Sequence, residues 1–92
     1  MNVRKLIKHL PIVIALLVTA SLSHSADLDK GVEAALSGDF KTALKEFRPL
    51  AEQGLADAQF LLGLMYDNGE GVIQDDKEAV KWYSLAAEQG FA

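Results

Sequence analysis

The chain has 92 residues, no cysteine and a formal charge of −4, which bounds it to one small domain held without disulfides. All thirteen Asp and Glu fall at or after Asp27, where only Lys30, Lys41, Lys45, Arg48, Lys77 and Lys81 oppose them, so residues 26–92 carry −7. A surface of that sign repels phosphate, which argues against nucleic acid as a partner.

In chain order, residues 1–25 read as a secretory signal. Arg4, Lys5 and Lys8 form a basic start, residues 11–22 are almost purely apolar, and Ser21, Ser23, Ser25 and Ala26 are small enough for a peptidase. Cleavage after Ser25 places Ser23 three residues from the bond, whereas cleavage after Ala26 would place bulky His24 there. The alternative, an uncleaved anchor, needs about 20 apolar residues, more than this run supplies. With no cysteine behind it, a lipid-anchored form is not expected. The mature chain is therefore expected to be exported, periplasmic or secreted, with a bacterial envelope favoured, and to keep no stable membrane span.

A helix is predicted over residues 28–36, ended by the Ser37-Gly38 turn. Residues 39–56, DFKTALKEFRPLAEQGLA, and residues 75–92, DDKEAVKWYSLAAEQGFA, then repeat at an offset of 36 with half the positions identical. That period is typical of helical-hairpin solenoids. In the first copy Phe40, Ala43, Leu44, Phe47, Leu50 and Ala51 share a helical stripe, and in the second Ala79, Val80, Tyr83, Ala86 and Ala87 do so. Asp39 and Asp75 stand at N-cap positions, with Glu78 placed to complete a capping box, and Gly54 and Gly90 are C′ residues. Pro49 predicts a kink or an early end. Between the copies, Leu55, Ala58, Leu62, Met65 and Tyr66 form one stripe of a helix over 55–67. Phe60, Leu61 and Leu64 make its other side apolar, so it is expected to be covered on both sides. Residues 68–74, NGEGVIQ, form a loop.

The stretch from Ala58 onward resembles the Sel-one-like repeat, a relative of the tetratricopeptide repeat. The matching residues are Leu62-Gly63, Tyr66, Gly69, Gly71, Val72, Asp75, Ala79, Trp82, Tyr83, Ala86, Ala87 and Gly90. Gly31 and Ala43 are 12 residues apart, as in ordinary tetratricopeptide hairpins, while Gly63 and Ala79 are 16 apart, as in the longer-looped form. The resemblance implies an all-α fold, a short right-handed α-α superhelix after a cleaved signal peptide. Its units are the signal peptide at 1–25, a tetratricopeptide-like first hairpin at 26–54 and a Sel-one-like repeat at 55–92. It also implies more repeats than the two hairpins here, since about three are usually needed for stability.

Catalytic groups are scarce. Both histidines, His9 and His24, lie in the leader, and Ser37, Thr42 and Ser84 have no base and no S-x-x-K pattern. A zinc site lacks its nitrogen and sulfur ligands. Asp67-Asn68-Gly69-Glu70-Gly71 followed by Asp75 and Asp76 fails as a calcium loop, because Gly69 stands third and Val72 sixth. No cofactor is expected. The reading is a non-catalytic exported module that binds a protein, an adaptor or scaffold. The alternatives are a truncated remnant of a longer array, or a carboxylate-dependent cell-wall hydrolase.

Two surfaces are candidates for the partner. In tetratricopeptide hairpins the first helix of each pair lines the concave face. Counted from Gly63, that face would comprise Asp57, Phe60, Leu64, Asp67 and Asn68, an apolar centre with acidic ends. The competing expectation is that Phe60 and Leu64 are core, buried against Val32 and Leu36. Trp82 and Tyr83 are read as packing aromatics rather than a recognition pair. At the C-terminal end, Trp82, Tyr83 and Leu85 have no following helix to cover them, which suggests self-association or docking there.

Overall fold

Turn chemistry sets the helix limits in the computed structural model, which describes residues 26–90. Among these residues are four helices and no strand: α1 at 26–36, α2 at Phe40–Glu52, α3 at Ala56–Asn68 and α4 at Asp76–Glu88. The leader with its cleavage bond, and residues 91 and 92 at the end of the second unit, lie outside the described residues. Asp39 caps α2, its carboxylate accepting from the Thr42 N–H at 3.2 Å and from the Thr42 hydroxyl at 2.7 Å. The hydroxyl bond, then the backbone one, holds the Asp39 carboxyl below the usual carboxylate range. Asp75 caps α4 by accepting from the Lys77 and Glu78 N–H groups at 3.0 and 3.2 Å. Glu78 does not close the expected capping box. The Asp75 N–H is donated to the Tyr66 carbonyl at 3.0 Å, and the Glu78 carboxylate lies 3.7 Å from Lys81 Nζ.

α2 stops through backbone geometry. Gly54 takes φ +100°, and the Gly54 and Leu55 N–H groups return to the Ala51 and Leu50 carbonyls at 3.0 Å. That left-handed turn satisfies carbonyls which would otherwise be orphaned. Pro49 does not end the helix early: α2 runs through it to Glu52, and the Pro49 carbonyl accepts from the Gln53 N–H at 3.0 Å. Pro49 is exposed, so the missing N–H falls on the solvent side, where water can satisfy the freed carbonyl.

The core is two linked clusters. Leu50, Ala51, Ala58, Leu62 and Trp82 bring α2, α3 and α4 together, and Ala43, Phe47 and Met65 join α2 to α3. Leu28 of α1 and Leu44 of α2 touch both, and Val32 and Ala35 close the second from α1. Phe47 and Leu62, the largest fully buried side chains, each contribute about 1.5–3 kcal/mol of burial. Cross-helix pairs run antiparallel: Gly63 against Tyr83 and Gln59 against Gln89 for α3 and α4, Ala51 with Gln59 and Arg48 with Tyr66 for α2 and α3.

Each hairpin seats an aromatic ring on a glycine. A Cβ on Gly31 would stand 2.8 Å from Phe47 Cδ1, and one on Gly63 would stand 2.7 Å from Tyr83 Cδ1. Phe47 and Tyr83 are themselves related by the 36-residue offset. The close approach at Gly63 is thus made by the ring of Tyr83, one helical turn beyond buried Ala79.

Burial corrects two expected stripes. On α4, Ala79, Trp82 and Ala86 face inward, but Val80 is 62 % exposed and Ala87 is exposed. Trp82 is only 5 % exposed, so it is core rather than part of an uncovered end, and Tyr83 and Leu85 are half-buried. α3 is fully covered on one side only. Ala58, Gln59, Leu62, Gly63 and Met65 are buried, whereas Phe60, Leu61 and Leu64 are half-buried.

Candidate functional site

The outer side of α3 gathers the five residues expected to line a groove. Helical spacing sets Asp57, Phe60, Leu64, Asp67 and Asn68 on one stripe, opposite the buried Ala58, Leu62 and Met65. Asp57, Asp67 and Asn68 are exposed, and Phe60 and Leu64 are half-buried between them. The expectation that Phe60 and Leu64 pack on Leu36 is not met, since Leu36 is 84 % exposed and Val32 packs into the Ala43, Phe47 and Met65 cluster. Phe60 instead meets Tyr83, with ring centroids 5.5 Å apart at 45°.

Tyr83 therefore belongs to this surface as well as to the repeat signature. Its hydroxyl donates to Asp67 Oδ2 at 3.4 Å. Partial burial, and then the Asp67 charge and its hydrogen bond, push the phenol pKa above its ordinary value. Asp67 accepts from Tyr83, Asn68 donates to Glu70 at 3.1 Å, and Asp75 is committed to its cap. An apolar centre between acidic ends suits a helix or peptide that carries an apolar anchor flanked by basic residues.

The remaining signature residues build the hairpin that holds this face. Gly69 takes φ +67° at the end of α3, and Tyr66 is held from α2, where Arg48 Nη2 donates to its hydroxyl at 3.0 Å. A Cβ on Gly71 would stand 2.8 Å from the Phe40 carbonyl oxygen, so the α3–α4 loop lies directly on the start of α2. Gly90 turns the chain after α4 with φ +86°. One polar element carries little signal in the sequence. Buried Gln59 donates to the Ala51 carbonyl at 3.1 Å and accepts from Gln89 Nε2 at 2.8 Å. Its only trace in the sequence is the repeated AEQG, which contributes both Ala51 and Gln89.

Antiparallel helix pairs, equivalent in sequence and sharing the glycine-under-ring contact, define an α-α hairpin repeat protein. Residues 56–91 match the family model described as Sel1 repeat, so this stretch is a Sel1 repeat, a repeat type that generally binds proteins. It is 42 % identical over 60 residues to an exopolysaccharide production negative regulator of Rhizobium leguminosarum bv. viciae, covering 65 % of this chain and 22 % of that protein. It is 41 % identical over 61 residues to chitin synthase regulatory factor 3 of Schizosaccharomyces pombe, covering 66 % and 6 %. It is 39 % identical over 57 residues to the chitin synthase regulator SKT5 of Saccharomyces cerevisiae, covering 62 % and 8 %. The chain thus spans less than a quarter of the length of these relatives. No solved structure matches significantly. Among the described residues, no helix is long and apolar enough to cross a membrane.

Proposed function

We propose that the chain is an exported, non-catalytic adaptor that holds a protein partner on the outer side of α3. The observation that carries this reading is the joint placement of half-buried Phe60 and Leu64 between exposed Asp57 and Asp67 on one helix face. The relatives named as regulators support a module that acts by binding another protein. Export rests on the order of basic, apolar and small residues in the leader.

Capture from an envelope fraction by the parent and by the Asp57→Lys, Asp67→Lys double variant tests the surface. Both positions are exposed, so the variant should keep its melt within about 0.5 kcal/mol per site while losing the partner. Undiminished capture by the folded variant refutes the α3 surface. N-terminal sequencing of the expressed chain should begin at Ala26 or Asp27, and a membrane-bound form retaining Met1 would refute export.

A further inference from the structure

The two repeat copies differ at half of their matched positions but keep the same lysines. Lys41 and Lys45 of α2 stand 36 residues before Lys77 and Lys81 of α4, and Arg48 extends the first pair by a turn. Five of the six cations in residues 26–92 are thus on these two helices, while α3 carries Asp57 and Asp67 and no cation. α2 and α4 each run antiparallel to α3, so they are parallel to one another, and Leu50 and Trp82 join them in one cluster. Spacings of four and three residues set each row on a single stripe, with the lysines about 6 Å apart along the axis. Lys41, Lys45, Lys77 and Lys81 are exposed and Arg48 is half-buried. α2 already has α1, α3 and α4 packed against it, so the exposure of Lys41 and Lys45 belongs to this side of the repeat and not to an uncovered end.

Stability does not account for these positions. The N-terminus of a helix is the positive end of its dipole, so cations are favoured in the last turn. α2 and α4 have no basic residue in the last turn, and each has a lysine as its second residue. Lys41 acts on the Asp39 carboxyl, but that carboxylate is committed to Thr42, as Asp75 is to its own cap. Among the described residues, Lys41, Lys45 and Lys77 make no ion pair, and Lys81 has one exposed pair with Glu78 at 3.7 Å. Two of the charged heads are set by aromatic rings. Arg48 lies 5.9 Å from the centre of the Tyr66 ring and donates to its hydroxyl at 3.0 Å. Lys81 Nζ lies 4.7 Å from the centre of the Trp82 ring. The rows close at Glu52 and Glu88, and neither row includes an apolar residue.

We infer that the outer face of α2 and α4 binds a linear polysaccharide that carries carboxylates, with Lys41, Lys45, Arg48, Lys77 and Lys81 as the anion-binding groups. Parallel rows of repeated charge match a polymer of repeated charge better than a single anion. A folded protein partner draws its affinity from buried apolar or aromatic anchors, and neither row offers a place for one. Duplex DNA carries one charge in about 1.7 Å of its axis, so residues 26–92, with a net charge of −7, oppose it over a long range. A sparsely charged sugar polymer meets the rows alone. Asp57 and Asp67 lie on the far side of α3, about a helix diameter or more from the rows, and salt screens charges beyond about 8 Å. The face is separate from the α3 surface and does not depend on it.

Polygalacturonate fragments titrated into the full chain, followed by amide NMR, are the test. They should produce saturable shifts centred on Lys41, Lys45, Arg48, Lys77 and Lys81, with affinity that falls as salt is raised. Lys41→Gln with Lys77→Gln should weaken binding about tenfold or more and melt no lower than the parent, since it removes cations from the positive ends of two helices. A clear loss of stability in that variant would overturn the inference by giving the two lysines a structural role. Lys45→Arg with Lys81→Arg keeps the charge and should keep the binding. Methyl-esterified polygalacturonate has the same backbone without the charge and should not bind. Asp57→Lys with Asp67→Lys should leave the shifts at the same residues, which separates this face from the α3 surface. Absence of shifts, or shifts centred on Phe60 and Leu64, overturns the inference. Equal affinity for poly-glutamate or for duplex DNA also overturns it, the first by giving the face to an acidic protein and the second by making it a general polyanion surface.

Discussion

Adding one methyl group at Gly31 or at Gly63 probes the same contact in two hairpins with different freedom to yield. In either helix, Gly→Ala removes a backbone-entropy penalty worth about 1 kcal/mol, so propensity alone favours both variants. The new Cβ would stand 2.8 Å from Phe47 Cδ1 in the first hairpin and 2.7 Å from Tyr83 Cδ1 in the second. Carbon pairs prefer about 3.5–4.0 Å, so each ring must retreat by close to an ångström. Phe47 is 1 % exposed and lies against Ala43 and Met65, so its retreat pushes through packed core. Overpacking of that kind costs about 1–3 kcal/mol. Tyr83 is half-buried and can swing outward, giving up the 3.4 Å bond to Asp67 and the contact with Phe60. The net expectation is a loss of up to about 2 kcal/mol for Gly31→Ala and a smaller one, about 1 kcal/mol or less, for Gly63→Ala. Urea and thermal melts on the full chain measure both, and in a domain this small about 1 kcal/mol moves the midpoint by roughly 4–8 °C. In the second hairpin, Gly63→Ala and Tyr83→Leu should be non-additive in a double-mutant cycle, because the ring is the group in the way. A Gly31→Ala chain that melts at or above the parent would refute the reasoning, since propensity would then outweigh a contact that is not tight.

Three further outcomes follow from the same contacts. Trp82→Ala should cost about 3–5 kcal/mol while Val80→Ala, at a position 62 % exposed, stays within about 0.5, and equal losses in denaturant melts would place the indole outside the core. Asp75→Ala removes a carboxylate that accepts two N–H groups and should cost about 1 kcal/mol by the same melts, with an unchanged midpoint counting against the cap. In a Tyr66→Phe background the Tyr83 phenolate absorbance should rise above pH 10, because the folded pKa exceeds the unfolded one. The stability tied to it is present below the unfolded value and declines as pH climbs from there toward the folded one. Asp67→Asn should move that titration down, and no movement would mean the carboxylate does not act on the phenol.

The sequence by itself determined the hairpins. Asp39 and Asp75 as caps, Gly54 and Gly90 as left-handed stops and the 36-residue offset are local or repetitive signals, and each reappears in the backbone. It also placed Asp57, Phe60, Leu64, Asp67 and Asn68 on one side of α3, because helical spacing fixes which residues share a face. Which apolar residues that face keeps, and which the core takes, was decided only by tertiary packing. Val80 and Trp82 are both apolar in one helix, yet Trp82 falls between Leu50 and Leu62 while Val80 has no helix across from it among the described residues. Pro49 reads as a helix end until the fold shows its missing N–H turned to solvent. Gly63 reads in the sequence only by its 16-residue spacing from Ala79, and it is the packed helices that bring Tyr83 over it. In each case the deciding quantity is the neighbour supplied by another helix, and one chain's periodicity carries no record of which side that neighbour occupies.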